Sequence, residues 1–392
     1  MIGLAEAQAR LLALLPETAG PRVVATPLAE SAGRILMADV MAARTQPVRD
    51  LSAMDGYAVA GAGPWTLVGE SAAGRAWSGR MSPGQAVRIF TGAVVPDGAQ
   101  SVVMQENVVR TEDNVALAEG AEARPGQHIR LRGSDFSEGQ TLLTRGQMMT
   151  PPCIALAASA GHGTVMLTRP VSVAILSTGD ELVPPGLPCA EDQIPSSNGL
   201  MLSALFARPG VTIVDLGIAP DRRDALAAAI DRAKGCDILV TIGGASVGDH
   251  DLVRPALIAA GAEIDFWKVA IKPGKPLMAG RLGDGMVVGL PGNPVSAYVT
   301  AILFAVPLIN AFRGMDAPLP QTRIAPCAAA LPATGNRTDH IRAYMVDGRA
   351  KPVGINDSAA LRALSAAECL IVRQPGAPPV AEDEPVDVLV LT

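Results

Sequence analysis

Residues 171–181 read VSVAILSTGDE, a continuous apolar run that passes directly into a polar loop containing glycine. A short apolar run without alternation is typical of a strand that is buried on both faces of a sheet. The pattern recurs at residues 237–244 (DILVTIGG) and 286–294 (MVVGLPGNP), with helical sequence between the runs. Buried strands that alternate with helices predict a doubly wound α/β domain, which we place at residues 170–314.

The sequence on either side of this domain predicts β structure in two further places. Residues 45–138 contain short apolar runs separated by glycine and proline, which indicate a small all-β module. Helical sequence before it, at residues 1–15, and after it, at residues 152–160, predicts a module inserted between two helices that pack together. Short runs return in residues 315–392, and they predict a small C-terminal β domain.

The composition indicates a folded protein with no nucleic-acid partner and no membrane partner. Of 392 residues, 49% are hydrophobic and 18% are charged, which excludes a disordered chain. The formal charge of −6 at pH 7 lacks the basic excess that a nucleic-acid-binding face requires. Residues 294–312 carry no formal charge and are about long enough to span a bilayer. Polar residues and a proline interrupt this segment, which favours a buried helix.

The N-terminus and the cysteines predict a cytoplasmic location. Residues 1–15 read as an amphipathic helix and lack the basic start and the cleavage site of a signal peptide. The five cysteines form neither a CxxC unit nor a disulfide framework. A reducing compartment fits this cysteine usage best.

Three loops of the α/β domain carry residues suited to bind a ligand. The loops at 177–181, 243–251 and 291–294 each follow a predicted strand, so we expect them at the carboxyl edge of one sheet. Glycine lets a backbone approach a ligand closely, and N–H groups at helix starts hold anions. Any one loop alone fits an ordinary tight turn better than a binding site. The three together, with their hydroxyls and carboxylates, predict a binding site.

Charged residues around these loops indicate what the site would bind. The loops contain Asp180, Glu181 and Asp251, and Mg²⁺ prefers carboxylate oxygens together with substrate phosphates. A nucleotide bridged by Mg²⁺ would reconcile carboxylates with a phosphate site. Residues 268–276 (KVAIKPGKP) add three lysines stiffened by prolines, which favours anion binding over a solvated turn.

The common catalytic motifs are absent from the sequence. There is no GxxxxGK[ST] phosphate loop, no GxGxxG after a strand and no GxSxG elbow. The four histidines stand in no triad or HExxH spacing. Kinase, dinucleotide oxidoreductase and hydrolase interpretations therefore lose support.

Seven strings, taken together and in order, resemble one family, the MoeA-type molybdopterin molybdenumtransferases, which are related to the C-terminal domain of gephyrin. The strings are Ser52–Ala58 (SAMDGYA), Arg88–Ala93 (RIFTGA), Ile129–Asp135, Ser177–Leu182 (STGDEL), Gly243–Gly248 (GGASVG), Lys268–Pro276 and Leu290–Ser296 (LPGNPVS). Two positions depart from the family pattern: Ala245 stands where valine is usual, and His250 lies inside the acidic loop.

The resemblance implies an architecture of four domains and a reaction. A helical elongated domain would comprise residues 1–44 and 139–169. The inserted β module would span 45–138, a MogA-like α/β domain 170–314, and a C-terminal β domain 315–392. The implied enzyme inserts molybdate into adenylylated molybdopterin, with Mg²⁺ assistance and release of AMP. It is implied to be a homodimer, with the site between the α/β domain of one subunit and the β domains of the other.

The resemblance and the loops together nominate the site residues. Expected catalytic groups are Asp55, Asp135, Glu181, Asp221, Asp251, Lys268 and Lys272. Expected substrate-binding residues are Thr91, Ser177, Gly179, Gly243, Gly244, Ser246, Lys275, Pro291, Gly292, Asn293, Pro294, Arg342 and Ser358. The expected Mg²⁺ ligands are Glu181 and Asp251. The segment 336–345 follows the family pattern only loosely, so Asp339 and Arg337 are alternatives to Arg342.

Two other functions remain open on the sequence. The α/β domain also resembles the separate adenylyltransferase that makes the adenylylated substrate, although that enzyme has no β module of the SAMDGYA type. A non-catalytic scaffold, as in gephyrin, is the other alternative. The adenylyltransferase and recipient molybdoenzymes are further candidate partners.

Overall fold

The computed structural model describes residues 1–15, 23–244, 252–355 and 357–391. The contacts of the chain divide it into two compact units. The first unit comprises Met1–Ala25, Gly33–Met37 and Met166–Thr392, and the second comprises Thr26–Ala32 and Ala38–Val165. Ser246 and Asp251, which the sequence nominates for the site, lie outside the described residues.

Short helices and strands make up most of the described chain. The helices are α1 Leu4–Ala13, α2 Pro151–Ser159, α3 Asn198–Phe206, α4 Arg223–Arg232, α5 Val253–Ala259, α6 Pro294–Thr300, α7 Val306–Phe312 and α8 Leu361–Ser365, with a π-helical segment at Ala301–Ala305 and short 3₁₀ turns at Leu28–Glu30 and Gln105–Asn107. The strands are β1 Val23–Pro27, β2 Val40–Met41, β3 Leu51–Ser52, β4 Gly56–Ala60, β5 Trp65–Ser71, β6 Gln85–Ile89, β7 Ser101–Met104, β8 Val108–Thr111, β9 Asn114–Leu117, β10 Ile129–Arg130, β11 Thr141–Leu143, β12 Thr164–Thr168, β13 Val171–Thr178, β14 Leu182–Val183, β15 Ile194–Pro195, β16 Val211–Ala219, β17 Ile238–Ile242, β18 Ala262–Trp267, β19 Ile271–Lys272, β20 Met278–Leu282, β21 Gly285–Leu290, β22 Arg323–Pro326, β23 Thr338–Val346, β24 Arg349–Pro352, β25 Cys369–Arg373 and β26 Pro385–Val390.

The first unit contains the predicted doubly wound sheet. Its strand order is β16-β13-β17-β21-β20-β18, and the first four strands are parallel. The sequence analysis did not foresee the antiparallel edge made by β20 and β18. Only Gly283 and Asp284 separate β20 from β21, and a connection of two residues permits only an antiparallel hairpin.

Both faces of this sheet are covered by helices, which explains why its strands read as unbroken apolar runs. On one face, Phe206 of α3 and Phe304 of the long helix pack with Ile175. On the other face, Leu226 of α4 and Leu257 of α5 pack with neighbouring residues of the same strands.

The charge-free segment predicted as a buried helix is confirmed as one. Pro294–Phe312 is 19 residues long with a mean hydropathy of 1.9, so its length and composition alone would suit a membrane span. However, 83% of its most apolar stretch is buried within the protein. We therefore treat this segment as the central helix of the first unit.

The two helices that flank the β module belong to different units. Helix α1 buries Ala7 and Leu11 in the core of the first unit, in the cluster that contains the long helix, whereas α2 belongs to the second unit. The segments predicted to be helical also hold the short strands β1, β2, β11 and β12. Each helix is therefore described with its own unit, and the expectation that the two helices pack together stays a prediction.

A partly buried ion pair holds the starts of two central strands together. Asp237, which precedes β17, accepts hydrogen bonds from the backbone N–H and the hydroxyl of Ser172 on β13, at 2.8 and 2.9 Å. Arg169 pairs with both oxygens of the same carboxylate. Because every partner is in place, the buried charge is compensated.

The second unit contains the predicted β module, with strand order β7-β4-β6-β5-β9-β8. Strands β5 and β6 are parallel, and the other pairs are antiparallel. Apolar residues alternate to two sides: Ala58 and Val87 lie in one cluster, and Tyr57 and Trp65 lie in another. The sheet therefore has a packed core on each face.

The predicted C-terminal β domain is present in the first unit. Its order is β19-β23-β25-β26-β22, with β24 paired to β23. Strand β19, which carries Lys272, comes from the α/β part of the sequence and pairs in parallel with β23. The lysine-rich loop is therefore anchored in the C-terminal sheet.

His340 on β23 is a buried histidine whose ring makes no well-formed hydrogen bond in the described part of the chain. Its exposed fraction is 4%. Burial lowers its pKa from 6.5 to about 4, and the nearby backbone of Lys272 and Thr338 opposes that effect only partly. The folded protein therefore holds this ring neutral at pH values where an unfolded chain would protonate it.

We predict that His340 makes the protein less stable in mild acid. Below pH 6.5 the unfolded chain takes up a proton that the folded chain accepts only near pH 4, so the loss develops between these values. It amounts to about 3 kcal/mol of unfolding free energy. Urea unfolding at pH 7 and pH 4 should show that His340→Phe removes this share of the pH dependence.

The control for this experiment is His162→Asn, because His162 is only partly buried. Between pH 7 and pH 4 that variant should lose as much unfolding free energy as the wild type. If the wild type and His340→Phe lost equal unfolding free energy between pH 7 and pH 4, the prediction would be contradicted.

Candidate active site

The ends of the three central strands meet, as the sequence predicts. The N–H of Gly243, after β17, donates to the carbonyl of Leu290 at the end of β21, at 3.1 Å. A Cβ atom on Gly243 would lie 2.7 Å from the carbonyl oxygen of Thr178, and Gly243 has φ +93°. A Cβ on Gly292 would lie 3.7 Å from the Cα of Gly243. Only glycine at position 243 allows these loops to come so close.

The loop after β13 brings its acidic residues to the same edge. A Cβ on Gly179 would lie 2.4 Å from Oε2 of Glu181, so the Glu181 carboxylate lies directly against this glycine. Asp180 Oδ1 accepts a hydrogen bond from the N–H of Asp221, at 3.0 Å. Glu181 and Asp221 therefore lie on adjacent loops, after β13 and β16.

The predicted Mg²⁺ ligands cannot be compared as a pair, because Asp251 lies outside the described residues. Within the described ranges, no group of three or more histidine, cysteine, aspartate or glutamate side chains is placed to hold a metal ion. Glu181 is exposed, and its carboxylate forms no hydrogen bond or ion pair with described residues. Its oxygens have the chemistry that Mg²⁺ prefers.

Asn198 is a site residue that the sequence analysis missed. Its side-chain N–H donates to the carbonyl of Gly292 at 2.6 Å, so the start of α3 holds the loop after β21. Its Oδ1 is buried and has no hydrogen-bond partner in the described part of the chain. The string SSNG in the sequence suggests only a helix start, so its contact with a loop 94 positions away could not be read from it.

Ser358 holds the same loop from the other side. Its hydroxyl oxygen accepts from the Asn293 side chain at 3.0 Å, and its carbonyl accepts from the N–H of Val295 at 3.0 Å. The C-terminal domain thus contacts the start of the long helix directly. The sequence nominated Ser358 as a substrate-binding residue, and the structure shows that its hydroxyl is already bonded to Asn293.

Arg342 holds the segment that carries Ser358. The Arg342 residue is 6% exposed, and its guanidinium donates to the carbonyls of Ala360 at 3.2 Å, Asp357 at 2.9 Å and Ile355. Burial lowers its pKa. Because these carbonyls accept hydrogen bonds from the guanidinium, Arg342 holds the loop in place, and its binding of substrate stays a prediction.

The lysine-rich loop lies beside the long helix. A Cβ on Gly274 would lie 2.5 Å from Thr300 Cγ2, so the loop packs closely on α6. Lys272 Nζ lies 3.7 Å from Asp339 Oδ2, and the Lys272 side chain remains 53% exposed. Lys275 is also exposed, and Lys268 is partly buried with φ +92°. The patch therefore has two exposed cations, Lys272 and Lys275, in a loop that packs on α6.

The second unit holds Asp55 and Thr91 together. Asp55 Oδ1 accepts from the backbone N–H of Thr91 at 2.7 Å and from its hydroxyl at 2.8 Å. These bonds, first the backbone bond and then the hydroxyl bond, lower the pKa of Asp55. The more distant Arg88 adds to this effect, and its guanidinium stacks on Tyr57 and Phe90.

Asp135 is placed in the same unit by a separate segment. Its N–H donates to the carbonyl of Gln46 at 3.1 Å, and its side chain is exposed with no hydrogen bond to the described residues. The structure therefore joins Asp55 to Thr91 directly. Asp135 lies on a separate segment of the same unit, and its side chain is exposed. The remaining nominated residues that are described belong to the first unit.

A doubly wound sheet with glycine loops at its carboxyl edge defines a class of α/β ligand-binding proteins. Models of three family regions match this chain. They are the MoeA N-terminal region (domain I and II) at residues 2–161, the "probable molybdopterin binding domain" at 174–311 and the MoeA C-terminal region (domain IV) at 325–391. The chain belongs to the MoeA family.

Known proteins resemble the chain over most of its length. It is 37% identical over 320 residues to a molybdopterin molybdenumtransferase of Haemophilus influenzae, covering 80% of this chain and 78% of the relative. It is 32% identical over 381 residues to the molybdopterin molybdenumtransferase of Bacillus subtilis, covering 93% and 89%. A molybdopterin biosynthesis MoeA protein of Pyrococcus horikoshii OT3 superimposes with a TM-score of 0.82 at 25% identity, covering 100% of both chains. The family resemblance and the fold class predicted from the sequence are confirmed.

We predict that Thr91→Val raises the pKa of Asp55 toward its ordinary value of 3.8. The change removes the hydroxyl donor and keeps the backbone donor, so the rise should be partial. Carboxyl ¹³C chemical shifts followed against pH measure it. Thr91→Ser is the matched control and should keep the low value, and an unchanged pKa in the valine variant would contradict the role of the hydroxyl.

We predict that Arg342→Met loosens the loop that holds the start of the long helix. Hydrogen bonds from a charged donor each contribute about 1.5–3 kcal/mol, so amide exchange at Val295 should become at least about tenfold faster. Arg349→Met is the control, since Arg349 on β24 makes exposed ion pairs with Glu382 and Asp383. Unchanged exchange at Val295 in Arg342→Met would show that the clamp does not hold the loop.

Proposed function

We propose that this protein is a molybdopterin molybdenumtransferase, which inserts molybdate into adenylylated molybdopterin and releases AMP. The observation that carries the proposal is the meeting of three glycine-bearing loops beside exposed lysines in the domain matched by the molybdopterin-binding model. Relatives named for this activity, 32% and 37% identical over most of the chain, support it.

The loops of the first unit suit an anionic, extended substrate. The backbone N–H groups of Gly244 and Ser296 would hold phosphate oxygens, whereas those of Gly243 and Val295 already donate to the carbonyls of Leu290 and Ser358. Lys272 and Lys275 would neutralise the charge of phosphate and molybdate. Pro291, Gly292 and Asn293 would present backbone to the substrate, because Asn198 and Ser358 fix their loop on both sides.

This arrangement needs no protein nucleophile. The new bonds join molybdenum to the dithiolene sulfurs as molybdate gives up oxygen, and the bond that breaks to release AMP is the phosphoanhydride. The protein's task is therefore to bring molybdate and the sulfurs together and to stabilise the departing AMP. The described site accordingly offers oriented amides, carboxylates and lysines rather than a cysteine or histidine attached to a base.

We include Mg²⁺ in the proposal because it prefers carboxylate oxygens together with substrate phosphates. Glu181 would hold the ion together with Asp251, and Asp221 lies on the adjacent loop. When bound, the ion would neutralise negative charge on the phosphates. Within this set, the carboxylate of Glu181 lies directly against Gly179.

The second unit would contribute Asp55, Thr91 and Asp135. The hydrogen bonds from Thr91 keep Asp55 ionised and use only Oδ1, so Oδ2 has no partner among the described residues. We propose that a homodimer completes the site, with the β domains of one subunit acting on the α/β domain of the other.

The finer organisation is part of the same proposal. It comprises the four domains at residues 1–44 with 139–169, 45–138, 170–314 and 315–392, and a cytoplasmic location that fits the free cysteines. The adenylyltransferase that supplies the substrate and the recipient molybdoenzymes are the proposed partners.

We predict that AMP release by the purified protein depends on molybdate when adenylylated molybdopterin and Mg²⁺ are present. Asp55→Ala should lower the rate by about 100-fold or more, as loss of a positioned charge in an active site does. The rate of AMP formation is the measurement. Asp113→Ala is the control, because Asp113 is an exposed residue of the turn between β8 and β9 in the same sheet.

The same assay tests the lysine patch. Lys272→Ala should raise the KM for the adenylylated substrate about tenfold, whereas Lys351→Ala on β24 should leave it unchanged. AMP release that is insensitive to molybdate would reject the insertase and favour adenylyl transfer. Wild-type activity in Asp55→Ala would remove Asp55 from the mechanism.

A further inference from the structure

Lys268 has a backbone conformation that is unusual for its residue type. Its φ is +92°, in the left-handed half of conformational space that glycine favours and that a residue with a long side chain rarely adopts. Such a conformation is unfavourable by itself and persists only where the surrounding structure holds it in place. Residues held in this way cluster at functional sites, so the contacts that hold Lys268 bear on its use.

The backbone of residues 268–270 is held by Ile2, near the N-terminus. The N–H of Ala270 donates to the carbonyl of Ile2 at 2.8 Å, and the N–H of Ile2 donates to the carbonyl of Lys268 at 3.4 Å. These two bonds form a parallel bridge between Ile2 and Val269. The carbonyl of Lys268 and the N–H of Ala270 are therefore bonded to a segment that is remote in sequence.

Two further contacts support the same stretch. The N–H of Lys268 donates to the carbonyl of Leu277 at 3.0 Å, which closes the lysine-rich loop on itself. The N–H of Thr338, in the C-terminal sheet, donates to the carbonyl of Ala270 at 2.9 Å. Ile2 is therefore one of three supports, and its removal leaves the loop's own bond and the bond from the C-terminal sheet.

Ile2 is itself fixed, because α1 follows it closely and is anchored in the core of the first unit. The Ile2 side chain packs against that core, and Leu11 of α1 is fully buried in it. The side chain of Gln8, which is 9% exposed, donates to the carbonyl of Leu303 in the long helix at 3.0 Å. Helix α1 is therefore a firm base from which Ile2 reaches the lysine-rich loop.

The same helix is bonded to the strand that leads into Lys268. Arg10 donates to the Asp265 carboxylate at 2.8 Å and to the Asp265 carbonyl at 3.1 Å. Asp265 lies on β18, which ends at the residue before Lys268. Because this ion pair is partly exposed, it contributes little stability by itself. It does fix α1 against the strand from which the loop begins.

These contacts give the N-terminal segment a role in the reaction. We propose that residues 2–13 position the lysine-rich loop, and that the bonds of Ile2 hold Lys268 in the conformation in which its ammonium group meets the phosphates of the substrate. The inference rests on the proposed function, in which Lys268 is a site residue. Ile2 is then a positioning residue, which acts through Lys268 and does not itself touch the substrate.

The physical basis is that the position of a charged donor is set before the ligand arrives. A charge-assisted hydrogen bond depends on where its donor lies, and a displacement of about 1 Å is enough to weaken an arrangement of this kind strongly. Without Ile2, Lys268 would relax towards a negative φ, and its side chain would leave the backbone in another direction. The substrate would then have to restore the unfavourable conformation, which lowers its affinity.

The test is calorimetric binding of inorganic pyrophosphate, which carries the anionic group without the rest of the substrate. Deleting Ile2 and Gly3 places Met1 directly before Leu4 and leaves no residue to pair with residues 268–270. We expect this shortened chain to bind pyrophosphate at least about tenfold more weakly than the full chain, as loss of one charge-assisted bond would give. Ile2→Val keeps both backbone bonds and should bind pyrophosphate as the full chain does.

A double-mutant cycle separates the positioning of Lys268 from a general loss of structure. In the full chain, Lys268→Ala should also weaken pyrophosphate binding at least about tenfold. In the shortened chain the same substitution should change the affinity by less than about twofold, because Lys268 is already displaced. A purely structural role of the N-terminal segment would make the two losses additive.

Thermal unfolding of each variant verifies that the fold is retained. If the shortened chain does not fold, Ile2→Pro takes its place in the cycle, because proline lacks the N–H that bonds to Lys268 and keeps the carbonyl that bonds to Ala270. Ile2→Pro should weaken pyrophosphate binding in the same direction, and again Lys268→Ala should add little to the loss.

Three results would overturn the inference: equal pyrophosphate affinity with and without the Ile2 bonds, additive losses in the cycle, or no pyrophosphate binding by the full chain. The measurement needs neither molybdate nor turnover. Its outcome is therefore independent of the AMP-release assay that tests the proposed function.

Discussion

The close approach of three strand ends at Gly243 is the constraint on which the site depends. Its N–H bonds to the end of β21, while the space where a side chain would stand is filled by the carbonyl of Thr178. Any side chain there would push β13 and β17 apart at their carboxyl ends. Because parallel strands present their loops at one edge, this contact gathers glycines, hydroxyls and carboxylates into one place.

The loop after β21 is fixed by residues from opposite sides. Asn198 reaches it from the start of α3, and Ser358 reaches it from the C-terminal domain, where Arg342 holds the segment that carries Ser358. Strand β19 adds a second connection, since it places Lys272 in the C-terminal sheet. The α/β domain and the C-terminal domain therefore act on the same loop, and a loop held in this way needs little reorganisation when ligand binds.

Much of the fold was predictable because burial leaves a direct pattern in sequence. The unbroken apolar runs at β13, β17 and β21 predicted a sheet covered on both faces, and the charge-free segment predicted a buried helix. The antiparallel edge of β20 and β18 was not predicted, because the two residues Gly283 and Asp284 give only a weak hairpin signal in the sequence. The assignment of α1 and α2 to different units was not predicted either, because an amphipathic pattern shows that a face is buried and does not show against which element.

The sequence by itself determined the chemical groups of this protein: glycine loops after buried strands, an acidic loop, a lysine patch and the SAMDGYA string of the β module. Only the tertiary structure decided how each group is used. The Arg342 guanidinium donates to backbone carbonyls, and the Asn198 side chain bonds to a loop far away in sequence. Asp215 lines one cavity together with Ser177 and Ser196. The physical reason is that hydrogen bonds and cavities depend on distances between residues remote in sequence, and residue type and spacing do not encode those distances.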